Sequence, residues 1–457
     1  MFHYLKIYLQ QTDSASKLAV FRFFFGLLTF IGVVRFWFKG WVSSVYVEPL
    51  FHFSYYGFEW IPPLKEYTYL LFAICAFSSI LIMIGYKYSL SIIIFFLSFS
   101  FIELMDKTTY LNHYYFISVL SFIMIFLPAN ATFSIDSIIN KKNYQFVPRW
   151  NIDCLKIMIG IVYVYAGIAK LNSDWLLNAQ PLKIWLPSNY DIPILGSYFL
   201  QQEWVAYLMS WSGAIYDLSI PFLLMYKKTR FFAFVLVLCF HTLVKILFPI
   251  GMFPYIMVFV VIIFFDKDVN EKIINVITRI LSFFKILFNH NLFFDLHSDS
   301  YKCKYFTFYI VSFFLIIQLL FPFRYLLYPG ELFWHEQGYR FSWRVMLIEK
   351  KGISDFKIVY PNEETSFYVK NCDFLTPLQE KQMSFQPDFI LEYAHFLGDH
   401  FSKKAGDSVS VFVDSYVSLN GRLSQRFVDH NVDLYREKLS LKNKEWILPL
   451  NDEIKGF

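Results

Sequence analysis

Charge is scarce in this chain: only 17% of its 457 residues are Asp, Glu, Lys or Arg. Disordered chains combine high charge with low hydrophobicity, so that class is excluded. The net charge of +5 is small and scattered among short loops, which excludes a nucleic-acid partner. Cysteine is equally sparse, with five widely separated residues, Cys75, Cys154, Cys239, Cys303 and Cys372, and no C-x-x-C or Cys/His ligand spacing. No disulfide framework can be argued from them, and no metal is expected; the first three fall in apolar runs, where a buried free thiol is the default. The leader MFHYLKIYLQQTDSASK has neither the apolar core nor the small-residue cleavage site of a secretory signal. It is expected to be an amphipathic helix on a membrane surface, with Lys6 and Lys17 toward headgroups. No inverted repeat suggests a transporter.

What is present is apolar mass. Hydrophobic residues make up 56% of the chain and aromatics 22%, with 56 phenylalanines, and the mean hydropathy is +0.43. Those values predict an integral multi-pass membrane protein in contact with lipid. Apolar stretches near the length that crosses the hydrocarbon core recur at 18–38, 67–86, 88–104, 113–128, 154–170, 204–226, 231–249, 251–266 and 305–323. The expectation is an α-helical membrane domain of about nine spans over residues 1–325, then a smaller β-rich α+β extramembrane domain over 326–457. Basic residues set the orientation. With the N-terminus in the cytoplasm, the inside segments hold Lys6, Lys17, Lys87, Lys141, Lys142, Arg149, Lys227, Lys228, Arg230 and the cluster from Lys267 to Lys304. The outside loops hold only Lys39, Lys65, Lys107 and Lys183. The C-terminal domain is then exoplasmic.

The same orientation gathers unusual polar residues toward one leaflet. Asn112 and His113 open the fourth span, Lys170 closes the fifth, His241 and Lys245 lie near the end of the seventh, and Arg324 closes the ninth. Independent snorkelling anchors would spread over both interfaces, so a one-sided cluster points to a shared cavity. Asp217 stands inside an apolar run, SGAIYDLSIPFLLM, where an unpaired carboxylate is costly. Arg22 and Lys245 are the candidate partners, in an ion pair expected to fix helix packing. Pro221 and the Pro249-Ile-Gly251 break mark a kink or a tight outer turn.

After Arg324 charge rises and apolar runs shorten, with Tyr328-Pro-Gly330 at the boundary. FKIVYPNEETSFYVK reads as a hairpin about Pro361, and SVSVFVDSYVSLNGRLSQRFV as two strands about an Asn420-Gly421 turn. PDFILEYAHFLGDHF between them has helical spacing. WHEQGYRFSWRVM crowds aromatics at the membrane exit, as an interfacial belt or a substrate cleft.

Several long strings, in order, resemble the vitamin K-dependent γ-glutamyl carboxylases, within the group that shares the horizontally transferred transmembrane domain. They are LAVFRFFFGLL, DKTTYLNHYYF, VYVYAGIAKLNSDW, YDLSIPFLL, FHTLVKILFPIGMFPY, WHEQGYRFSW, DSYVSLNGRLSQRFVD and EWILPL. The resemblance implies that Lys170 is the base, with Asn112 and His113 orienting substrate and stabilising developing negative charge, and that His241 lies near the quinone. It also implies that Trp334, Tyr339, Ser342, Trp343 and Trp446 hold the peptide. The implied reaction uses vitamin K hydroquinone, dioxygen and carbon dioxide to carboxylate peptide glutamate at the γ-carbon, with the quinone leaving as its epoxide. Ala169 stands where animal members have a second lysine, Arg344 where they have aspartate, and animal members continue well beyond Trp446. Those departures fit a compact bacterial member, with its site on the periplasmic face of the inner membrane; a eukaryotic one would face the ER lumen. Two alternatives are quinone epoxidation without peptide carboxylation, and a non-catalytic lipid- or quinone-binding protein.

Overall fold

The computed structural model describes residues 2–456 except 190, 193–195, 197, 284–296, 303 and 361–364. Among the described residues, seven helices are long and apolar enough to cross a membrane. They are α1 (Ala15–Phe38), α2 (Thr68–Ile84, entered through a 3₁₀ turn at Lys65), α3 (Tyr88–Met105), α5 (Trp150–Ile168), α6 (Glu203–Met225), α7 (Arg230–Leu247) and α9 (Tyr305–Leu320, continued by a 3₁₀ segment to Leu327). Two shorter apolar helices, α4 (Asn112–Ile125) and α8 (Phe253–Val260), occupy the other two expected positions. The helix α8 starts with Pro254 in its first turn and runs into a 3₁₀ segment, Val261–Phe264.

The two ends of the helical bundle differ. At one end, strands β1 (Thr12–Ser14), β2 (Tyr144–Pro148) and β3 (His297–Ser300) form a small sheet that ties the leader to two inter-helix connections. The leader is helical over Phe2–Gln10. Lys17, expected to face headgroups, is instead buried and paired with Asp13 at 2.8 Å, because β1 draws that turn into the bundle. At the other end sits the sheet-bearing C-terminal region, with antiparallel strand order β5 (Thr365–Tyr368), β4 (Lys350–Tyr360), β6 (Ser410–Leu419) and β7 (Gln425–Arg426). Alternation along β4 and β6 turns Phe356, Ile358, Val411, Val413 and Val417 inward, against Phe389, Tyr393 and Leu397 of α10 (Pro387–Ala405). Each such side chain contributes about 1.5–3 kcal/mol. The β6–β7 turn is made at Asn420 and Gly421, both with positive φ, as the Asn-Gly pair requires. The turn of the β4–β5 hairpin, at Pro361, lies outside the described residues.

Three connections of the bundle meet the C-terminal region: 39–67, 106–111 and 169–202. Ser54 N donates to Glu392, Lys107 pairs with Glu392, and Asp174 pairs with Arg422. A nine-crossing chain places all three connections at one end. Glu103, in the last turn of α3, is a second acid in an apolar helix that the sequence reading passes over, since it lies so near the loop.

Candidate active site

Helix α5 approaches α6 closely because residue 167 is glycine: a Cβ there would lie 2.7 Å from Leu218 Cγ. That approach brings Lys170, just past the end of α5, to Asp217 on α6. Nζ donates to Asp217 Oδ2 at 2.7 Å and to the Ala166 carbonyl at 3.1 Å, and lies 5.3 Å from the Trp175 ring centre. The partner of Asp217 is therefore Lys170, which corrects the expectation of Arg22 or Lys245. Arg22 is buried elsewhere, donating to the carbonyls of Ile82 and Phe133. Lys245 sits over the Tyr255 ring at 5.9 Å.

The polar string after Lys170 explains its fixed position. Asn172 caps the next short helix by accepting from Trp175 N at 2.9 Å, and its amide returns to the Ala169 carbonyl; such a cap is worth about 1 kcal/mol. Trp175 Nε1 donates to the Ser210 carbonyl at 2.8 Å, which holds the indole beside the ammonium. Asp174 receives both terminal nitrogens of Arg422 at 2.7 Å, a bidentate tie to the C-terminal region.

Lys170 and Asp217 line a cavity of about 540 Å³, together with Asn112, His113, His241 and Tyr339. Its walls are largely apolar, including Val162, Phe240, Phe248, Phe253 and Met257. Phe253 stands between the two imidazoles, 5.9 Å from each ring centre. His241 meets the Tyr163 hydroxyl through Nε2 at 3.1 Å, while its Nδ1 is buried without a partner. Asn112 is spanned by protein on both sides: Oδ1 accepts from Tyr110 at 3.1 Å and Nδ2 donates to the Arg344 carbonyl at 2.9 Å. The Pro249–Gly251 break, with Gly251 at positive φ, forms part of the same wall.

The other sequence-predicted residues lie off this cavity. Trp334 is buried, donating from Nε1 to the Leu448 carbonyl at 2.7 Å. Trp343 stacks on Tyr115 with ring centres 4.9 Å apart. Ser342 donates to the Tyr339 carbonyl, and Trp446 is buried, with its carbonyl accepting from Asp429 N at 2.9 Å. The segment that carries them is bent: Glu336, Phe341, Trp343 and Met346 all have positive φ without being glycine. Such conformations cost on the order of 1–3 kcal/mol each and persist where surrounding structure over-determines them.

Sequence reasoning missed two cations on the cavity wall. Arg35, at the end of α1, lies over Trp41 at 5.1 Å. Arg340 pairs with Asp388 at 2.7 Å. For Arg35 the available signal was a basic residue near the end of an apolar run, the same kind that marks Lys170; Arg340, in the polar string WHEQGYRFSW, carried no such signal. Behind Arg340, Lys107 bonds Asp388 at 3.0 Å and Glu392 at 2.7 Å. Burial opposes charge on all three, yet Arg340 and Lys107 hold the Asp388 carboxyl well below the usual range, and the two acids hold Lys107 above its own. Among the described residues no cluster of His, Cys, Asp and Glu could hold a metal ion.

Known families match both parts of the chain. Residues 9–269 match the HTTM domain, and residues 303–453 match the lumenal domain of vitamin K-dependent gamma-carboxylase. No solved structure gives a significant match. Apolar helices matching the first and a sheet-bearing region matching the second, in one chain, make this an integral membrane protein that belongs to the vitamin K-dependent gamma-carboxylase family.

Proposed function

We propose that the protein is a γ-glutamyl carboxylase that couples carboxylation of peptide glutamate to epoxidation of reduced vitamin K, with Lys170 as the base. The observation that carries this reading is the Lys170–Asp217 contact of 2.7 Å on the wall of an apolar cavity. A quinol fits the residues there: the wall suits an apolar ring and tail, and His241 Nδ1 is a buried, unpartnered polar atom available to one ring oxygen. Reduced vitamin K, when bound with dioxygen, supplies basicity that no side chain has. Lys170 enters the step as the neutral amine; its Nζ takes up the proton released in the site, and Asp217 Oδ2, 2.7 Å away, stabilises the ammonium that results. The surrounding apolar side chains exclude water that would quench a strong base. Asn112 and His113 orient the substrate and stabilise developing negative charge. Tyr339 holds the peptide from the cavity wall, with Trp334, Ser342, Trp343 and Trp446 shaping the segment around it.

In this reading residues 1–325 form the membrane domain and 326–457 an exoplasmic domain, with the N-terminus cytoplasmic. The test is labelled carbon dioxide incorporation into a glutamate-rich peptide by purified protein with vitamin K hydroquinone and dioxygen, scoring epoxide in parallel. Both products, lost together in Lys170→Ala, are the expected result. Epoxide formed without carboxylated peptide across a panel of glutamate peptides would replace this reading with quinone oxygenation alone.

A further inference from the structure

A second cavity, of about 690 Å³, shares no lining residue with the first. Trp334, His335, Gln337 and Arg344 line its interior, with Glu331 and Lys444 among its other lining residues. Arg344 is 5% exposed, His335 7% and Gln337 9%. Arg344 Nε and Nη1, His335 Nε2 and Gln337 Oε1 are all buried without a hydrogen-bond partner. The His335 ring accepts from Gln337 N through Nδ1 at 2.9 Å, which leaves its proton on Nε2.

Three neighbouring cations have carboxylates, while Lys444, on the wall of the same cavity, has only the Ser440 carbonyl at 3.4 Å. Arg340 has Asp388, Lys350 has Glu336, and Arg422 has Asp174. Arg344 has the Tyr325 ring at 4.7 Å and that residue's hydroxyl; the Glu331 carboxylate, whose Oε1 accepts from Phe333 N at 3.0 Å, attracts it through space without a direct ion pair. A guanidinium cannot escape burial by shedding its proton, so an unpaired one is costly to keep. Its backbone, meanwhile, belongs to the first site, since its carbonyl holds Asn112. One bent segment thus serves both cavities: Glu336, Tyr339 and Arg340 face the first, and Trp334, Gln337 and Arg344 the second.

We propose that the second cavity binds a further carboxylate of the peptide substrate, a glutamate or aspartate close to the one being carboxylated, through the Arg344 guanidinium. A peptide lying along 334–346 reaches both cavities, whereas the volume and the Trp334 wall exceed what a small anion needs. Arg344 is then a specificity residue that selects clustered acids. The inference rests on the carboxylase reading.

The test measures affinity of the full-length protein in lipid nanodiscs for two fluorescent peptides, without quinol or carbon dioxide. One carries the reacting glutamate plus a neighbouring glutamate, and the other has glutamine at the second position. The unmodified protein should prefer the first by about tenfold or more, the effect of one charge-assisted hydrogen bond. Arg344→Gln should erase the preference while leaving affinity for the second peptide within about twofold, and Arg344→Lys should keep part of it. Equal binding of the two peptides by the unmodified protein, or a preference that survives Arg344→Gln, would overturn the proposal. If Arg344→Gln does not fold, the unmodified protein and Arg344→Lys decide. An Arg344-dependent preference in a protein that never carboxylates would retire the carboxylase reading and keep this site. Carboxylation with no preference would do the reverse.

Discussion

Two lysines are buried to a similar degree, with side chains 8% and 4% exposed, in surroundings that could hardly differ more. Lys107, between the bundle and the C-terminal region, touches two carboxylates, and these are held in turn by Arg340 and by Ser54 N. Lys170 has one carboxylate, one carbonyl and one indole, and Asp217 has no other hydrogen-bond partner among the described residues. Both pairs compensate the cost of burying charge. A charge saturated on all sides is a clamp, because no proton or ligand can be exchanged without breaking several contacts. A charge with a single partner on a cavity wall remains open to exchange, and in the proposed function that difference separates a structural lysine from a reactive one.

The comparison can be broken in four ways, taken from the largest effect down. Lys170→Ala should lower both carboxylation and epoxidation by about 10³-fold or more, within the reach of a lost general base; near-normal turnover would make Lys170 a second clamp. Lys107→Met should cost about 3–5 kcal/mol, since it leaves Glu392 buried without its cation. Denaturant unfolding measures that loss, and turnover per folded molecule should stay within about twofold. Asp217→Asn keeps the shape but removes the charge facing Lys170. Turnover should fall about 10- to 100-fold, in line with a hydrogen bond to a charged group worth about 1.5–3 kcal/mol. A loss of folded yield with an unchanged rate would return Asp217 to a packing role. The smallest effect is acid sensitivity. Burial, then the charges of Lys350 and Lys444, hold the His335 imidazole down to about 4. Its contribution is fully present above the unfolded value of about 6.5 and fades as pH falls from there toward 4. Thermal unfolding midpoints should drift down across that window by on the order of 2–4 °C per kcal/mol, and His335→Gln should flatten the drift.

Much of the helical part was legible because apolar run length is a direct physical requirement of spanning hydrocarbon. The C-terminal strands were legible for a similarly local reason, alternation about Asn420-Gly421. The site was half legible. Lys170, Asn112, His113 and His241 announce themselves as polar residues at the ends of apolar runs, and the structure brings them to one cavity. The partner of Asp217 was not legible, because it depends on how α5 and α6 rotate and how closely they approach, which Gly167 governs from three residues away. Trp334 and Trp343 read as one aromatic cluster with Tyr339. Four non-glycine residues with positive φ turn them to different sides, a backbone property that composition does not encode.

The ties between the bundle and the C-terminal region join distant parts of the chain: Lys107 to Glu392 across 285 residues, Asp174 to Arg422 across 248 and Asn112 to Arg344 across 232. Contacts so far apart form late, after local ones. During synthesis the helices are made first, and the connections holding Lys107 and Asp174 wait with uncompensated charge until residues 388–422 emerge. A chain interrupted before that point has its helices but no enclosed site. On the proposed function, the chemistry of the first helices then depends on the last strands made.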